Sequence, residues 1–213
     1  SYPGATGEVL AYLALPKSGP PRRAGVIVIH ENRGLNPHIR DVARRVAVAG
    51  FTALAPDALS TVGGTPSDED EARLAIGRLD RDATVRTFVA AVAYLKSRPD
   101  AAGPVGAVGF CWGGGMVNLL AVAAPDLAAG VPFYGVVAPY GDVPRIQARL
   151  QLHYAGYDPR INAAVPEYEA ALKRAGRVYE KFVDEGTDHA FHHDTGADRY
   201  NKAAAHLAWS RVI

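Results

Sequence analysis

Apolar residues fall along this chain in two alternating rhythms: short continuous runs of small and β-branched residues, and longer stretches whose apolar positions lie three and four apart. The first is the pattern of a buried strand, the second of an amphipathic helix. Residues 8–15 alternate through Val9, Ala11, Leu13 and Leu15 and predict a first strand, closed by Pro16 and a Gly19-Pro20-Pro21 turn. Gly25–Ile29 is continuously apolar, as a central parallel strand is, and it delivers His30, Glu31, Asn32, Arg33 and Gly34 to its C-terminal end. Open α/β sheets bind ligands beyond those ends, so polar residues there are candidates for chemistry. Pro37 marks a helix start, Ile39, Val42, Ala43, Val46 and Ala49 form its stripe, and Gly50 ends it; 51–55 is the next strand, stopped by Pro56-Asp57.

After a loop over 58–66, Ser67 predicts a helix cap with Asp70 or Glu71 in the first turn, and the acidic run reads as a solvated face. A helix over 82–96 carries Val85, Phe88, Val89, Val92 and Leu95 and stops at Pro99. Beyond residue 124, strands over 130–134, 150–154 and 178–183 alternate with a helix from Pro166 to Gly176 and a final helix through Tyr200, Ala203, Ala204, Leu207 and Trp209. The loop over 137–142 is expected to border a pocket. Strands alternating with helices, with no internal repeat, predict a single α/β domain over 1–213: a mostly parallel central sheet with helices on both faces.

One stretch orders the rest. Val105-Gly-Ala-Val-Gly-Phe-Cys-Trp-Gly-Gly-Gly115 is a buried strand running into a sharp turn, and the helix predicted over 116–124 follows its three glycines. Gly109 and Gly113 flank Cys111 as G-x-C-x-G, the elbow pattern of hydrolases whose nucleophile sits in a strained strand-to-helix turn, with cysteine in the usual serine position. A first helical turn offers free amides and favours negative charge, so the thiolate is expected to be stabilised and open to oxidation.

Composition narrows the class without changing this picture. The 213 residues are 48% hydrophobic and 21% charged, which excludes a disordered chain, and no apolar run approaches the ~20 residues of a membrane span. Lys and Arg number 23 against 22 Asp and Glu, so no field of one sign suggests nucleic acid. A lone cysteine forms no internal disulfide, and 1–7 lack a basic-then-apolar signal; the expectation is a cytoplasmic protein without a membrane partner, monomeric, with a weak dimer as the alternative.

A thiol needs a base for acyl transfer, and the base needs an orienting group. Cys111, Asp158 and His189 each follow a strand signal, in the chain order nucleophile, acid, histidine expected for this class of hydrolase. His192 and His193 are rivals to His189, and Asp142 and Asp184 to Asp158. Asp188, His189, His192, His193 and Asp194 are also a dense set of metal-type ligands, but they match no helix-borne H-E-x-x-H spacing. No C-x-x-C or G-x-G-x-x-G supports a redox or nucleotide cofactor, so neither cofactor nor metal is expected.

At these residues the chain resembles the dienelactone hydrolase (carboxymethylenebutenolidase) family of the α/β-hydrolase fold. The likeness rests on Val28-Ile-His-Glu-Asn-Arg-Gly-Leu-Asn36, Ala53-Leu-Ala-Pro-Asp57, Gly109-Phe-Cys-Trp-Gly-Gly114, Tyr154-Ala-Gly-Tyr-Asp158 and His189-Ala-Phe191. The resemblance implies Cys111 as nucleophile, His189 as base and then acid, Asp158 as its orienter, and Glu31 as a carboxylate that takes part in forming the thiolate. It assigns the oxyanion to the backbone amides of Asn32 and Trp112. Family members acting on the carboxylate-bearing dienelactone hold that group with arginines, one of them four residues beyond the catalytic histidine; here that position is His193, and the other matches Arg73 or Arg78. With Tyr134, these are the candidate substrate-pocket residues. The expected activity is cysteine-dependent hydrolysis of small esters or lactones through a thioester. A broad thiol esterase without a carboxylate clamp and a catalytically silent binding protein are the alternatives.

Overall fold

The computed structural model describes residues 1–19, 23–101, 103–196 and 198–213. The elements are β1 (Tyr2–Pro3), β2 (Glu8–Val9), β3 (Ala11–Ala14), β4 (Gly25–Ile29), α1 (Pro37–Val48), β5 (Thr52–Pro56), α2 (Glu69–Gly77), α3 (Arg81–Ser97), β6 (Val105–Phe110), α4 (Trp112–Ala123), β7 (Ala129–Phe133), β8 (Arg149–Tyr157), the one-turn α5 (Pro159–Asn162), α6 (Val165–Arg174), β9 (Tyr179–Asp188) and α7 (Lys202–Val212). Seven strands form one sheet in the order β3-β5-β4-β6-β7-β8-β9, parallel except for the edge strand β3. The fold is the α/β arrangement expected.

Burial on both faces explains the continuous apolar strands. Ile27 and Ile29 point into the layer of α2, α3, α4 and α6, and belong to one core with Phe88, Leu95, Val117, Leu120 and Tyr168. Val28 points the other way, to Ile39, Val42 and Val46 of α1 and Ala208 of α7. Neighbouring residues of a strand face opposite sides, so a strand covered twice has no polar position to spare.

The topology also locates a crevice. From β4 the chain crosses to β5 on one side and then returns to β6 on the other, so β4 and β6 lie side by side where the winding reverses. Ile29 pairs with Gly109, and the residues after each strand, His30 to Asn32 and Cys111 to Trp112, leave the sheet together. This is the switch point at which such sheets take ligands.

Several boundaries differ from the sequence reading. The first strand breaks at Leu10, whose N–H turns to Ser60 Oγ (2.9 Å); β2 then pairs with the unforeseen β1, and only β3 joins the main sheet. The α2 cap is Asp68, not Ser67: its carboxylate accepts the N–H groups of Asp70 and Glu71. α4 begins at Trp112, four residues before the expected start, with the three glycines inside it. The last helix starts after Tyr200, capped by Asn201. β8 and β9 run three and five residues beyond their apolar cores, because backbone pairing continues into polar, glycine-containing tips that hydrophobicity does not mark. The prolines of the Gly19-Pro20-Pro21 turn lie outside the described residues.

Candidate active site

Three strand exits build the site. At the first, Cys111 has φ 54° and ψ −115°, a conformation in which a side chain is rarely found. Its N–H donates to Phe133 O (3.0 Å), which ties the corner to β7. The following glycines allow backbone to approach backbone. A Cβ on Gly113 would stand 2.4 Å from the carbonyl oxygens of Ile29 and His30, and one on Gly135 2.2 Å from Gly114 C. Three glycines in a first helical turn cost helix propensity, and the close approach overrides it. Gly113→Ala is therefore expected to force β4 and α4 apart and lower stability by about 3 kcal/mol, visible as a lower urea midpoint; an unchanged midpoint would contradict this packing.

The second exit comes from the paired ends of β8 and β9. Tyr157 stands opposite Asp188 across the ladder, so the next residues, Asp158 and His189, emerge as neighbours. His189 Nδ1 donates to Asp158 Oδ2 at 2.5 Å, and Nε2 is buried without a partner. Asp158 is buried and caps α5, with Oδ1 accepting from Ile161 N at 3.4 Å. The rivals have other work: Asp142 is half-buried and paired with Arg145, Asp184 is buried against Arg211 (3.3 Å), and His192 stacks on Phe110, its pKa lowered by burial to about 3.

The third exit follows β4. His30 Nδ1 donates to Glu31 O (2.6 Å) while Nε2 accepts from Ala58 N (3.1 Å), which fixes the neutral tautomer, and its ring stacks on Trp112. His30 thereby braces both the Glu31 backbone and the corner beside Cys111, a role no sequence pattern indicated. Glu31 is 6% exposed; His193 Nδ1 donates to its Oε2, and Oε1 is buried and unpartnered. Behind this pair, His193 stacks on His38 with ring centroids 4.1 Å apart, and His38 donates to Asp194 (2.9 Å), which also accepts from Arg45. Asp194 lies 156 residues from His38, beyond the reach of any local signal. The Glu31 hydrogen bond raises the His193 pKa.

The thiol state differs from expectation. Burial first, and then the charge of Glu31, push the Cys111 pKa up to about 11, with the Trp112 amide pulling only partly back. Near neutral pH the resting sulfur is therefore held as the thiol rather than as an oxidation-prone anion. No hydrogen bond joins Cys111 to His189 among the described residues. Trp112, as the first helical residue, has no acceptor for its N–H within the helix, and Asn32 N–H donates to no acceptor among the described residues.

Beyond Trp112 the lining turns mostly apolar. Trp112, Gly115, Met116, Leu119 and the 136–140 loop enclose a groove of about 420 Å³, so that loop does border a pocket, with Arg81 at its rim. Arg81 is exposed and bonded to Asp82 (3.1 Å). Arg73 is exposed beside Asp70, and Arg78 lines a separate cavity with Asp57 and Thr61. Tyr134 is fully buried, its ring 5.0 Å from that of His189.

Residues 9–213 match the model of the dienelactone hydrolase family. A candidate 2-oxo-3-(5-oxofuran-2-ylidene)propanoate lactonase from Bradyrhizobium is 33% identical over 99% of this chain and 90% of its own length. A candidate carboxymethylenebutenolidase from Saccharolobus solfataricus is 30% identical over 99% of this chain and 94% of its own. The crystal structure of a candidate dienelactone hydrolase from Klebsiella pneumoniae superposes with a TM-score of 0.88 at 26% identity, covering 100% of this chain and 95% of that one. The chain belongs to the dienelactone hydrolase family, hydrolases of esters and lactones built on the α/β-hydrolase fold.

Proposed function

We propose that this enzyme hydrolyses small esters or lactones through a thioester on Cys111. The observation that carries the reading is the Asp158–His189 pair: Asp158 holds the Nδ1 proton, which leaves the buried Nε2 lone pair without a partner and free to accept. Substrate entering the crevice displaces the balance that keeps the thiol protonated, and Glu31, whose charge raises the thiol pKa, takes up the proton as Cys111 ionises. The thiolate attacks the carbonyl carbon. The tetrahedral oxyanion is met by the N–H groups of Asn32 and Trp112. Its collapse breaks the carbon–oxygen bond, and the leaving alkoxide, or the enolate of an enol-lactone, takes the proton that Glu31 received from Cys111. In the second half, His189 Nε2 accepts a proton from water, hydroxide adds to the thioester carbonyl, the carboxylic product leaves Cys111 as the carbon–sulfur bond breaks, and His189 returns its proton to the sulfur.

Neutral substrates suit this chain better than carboxylate-bearing ones. His193 is committed to Glu31, Arg73 and Arg78 are exposed, and the groove beside Trp112 is apolar. The test combines two measurements. With a slowly deacylating aryl ester, quenched enzyme should gain the mass of one acyl group on Cys111. For matched lactones differing only in a free carboxylate, the neutral one should have the higher kcat/KM. Turnover with no acyl group on Cys111 defeats the thioester reading, and a preference for the anion defeats the substrate reading.

A further inference from the structure

Tyr134, the first residue after β7, has φ 38°, in the region that bulky side chains avoid. The cause is the next residue: Gly135 lies backbone to backbone against Gly114 of the elbow helix, so the chain must turn sharply at Tyr134 to reach it. The turn sends the ring inward, packed on Phe191 (5.4 Å) and His189 (5.0 Å). Its hydroxyl is fully buried and has no hydrogen-bond partner. Burial and the charges of Glu31 and Cys111 raise its pKa far above the ordinary tyrosine value, so the group keeps its proton, and its O–H is a buried donor without an acceptor. The titratable groups around it are Glu31 after β4, Cys111 at the elbow, and His189 after β9.

An orphaned hydroxyl on a strained backbone lowers stability twice, and a phenylalanine would remove half of that cost. Glu31 Oε1 is its complement, a buried acceptor with no donor. Resting on the reading of Cys111 as nucleophile, we propose that Tyr134 is a further residue of the catalytic machinery: its hydroxyl donates to the negative charge that Cys111 and Glu31 hold between them once the thiol ionises. The proton stays on Tyr134 throughout. The resting enzyme leaves the donor idle, and its hydrogen bond forms in the activated state, which is where a contact accelerates a reaction.

Cys111 is the only cysteine, so alkylation by iodoacetamide reports on it alone. Below the thiol pKa the alkylation rate follows the thiolate fraction. A hydrogen bond to a charged group corresponds to about 1 to 2 pH units, so Tyr134→Phe should slow alkylation near pH 8 about 10- to 100-fold and lower kcat similarly, with KM little changed and the thermal midpoint equal or higher. Alkylation within twofold of wild type would overturn the proposal. If Tyr134→Phe does not fold, 3-fluorotyrosine at 134 decides: its more acidic hydroxyl should speed alkylation, and an unchanged rate would overturn the proposal. Thiol reactivity is read without turnover, so this outcome is separate from the fate of the thioester reading.

Discussion

Cys111→Ala is expected to lower kcat/KM for an activated aryl ester by about 10⁴-fold or more, while the thermal midpoint stays within a few degrees of wild type. The chain holds one thiol, and it occupies the corner where β6 turns into α4. On the proposed thioester route, removing the sulfur removes the attacking atom and leaves the Asn32 and Trp112 amides, the apolar groove and the Asp158–His189 pair in place. What survives should be the modest acceleration that binding and oxyanion stabilisation give by themselves. Stability should change little, because the substitution deletes one half-buried atom and keeps a Cβ at the strained corner. Steady-state kinetics with calorimetry on the same sample checks both halves. Activity above about one part in a hundred of wild type would mean another group attacks. Cys111→Ser is less informative, since a hydroxyl can replace part of the function.

Asp158→Asn is expected to cost about 10³- to 10⁴-fold in kcat, for a different reason. Asp158 Oδ2 takes the Nδ1 proton of His189 at 2.5 Å, so the ring offers its lone pair at Nε2. An amide NH₂ facing Nδ1 would demand an acceptor there and move the ring proton to Nε2. The base would become a donor on the side where it must accept. The fold should hold, because Asp158 Oδ1 makes only a long bond to Ile161 N (3.4 Å), and asparagine also caps helices well. Stopped-flow turnover and the thermal midpoint are the measurements; a loss below tenfold would show that His189 needs no fixed tautomer.

These two experiments probe groups that were legible in the sequence to different depths. The elbow was legible because it is local: an apolar run, a cysteine and flanking glycines lie within eleven residues. The candidates Asp158 and His189 were visible as polar residues after strands, yet only the ladder says they meet. The register that sets Tyr157 opposite Asp188 depends on backbone bonds through tips too polar to read as strand. Arg73 and Arg78 illustrate the reverse case. Their charge suits an anion, but exposure beside Asp70 and in a separate cavity is a matter of how α2 and the segment after it pack.

From residues alone follow the alternation of strands and helices, the two-sided core and the order of the chemical groups, because each depends on periodicity and on neighbours within a turn or two. Distances and charge environments follow from elsewhere. The Cys111 thiol is held protonated by burial and by Glu31, 80 positions earlier, where the helix start alone argued for a thiolate. His193 grips Glu31 across a separation of 162 residues, and Tyr134 keeps its hydroxyl idle because Gly135 must touch Gly114. A titration state is set by everything within a few ångströms, and only the closed fold brings those groups together.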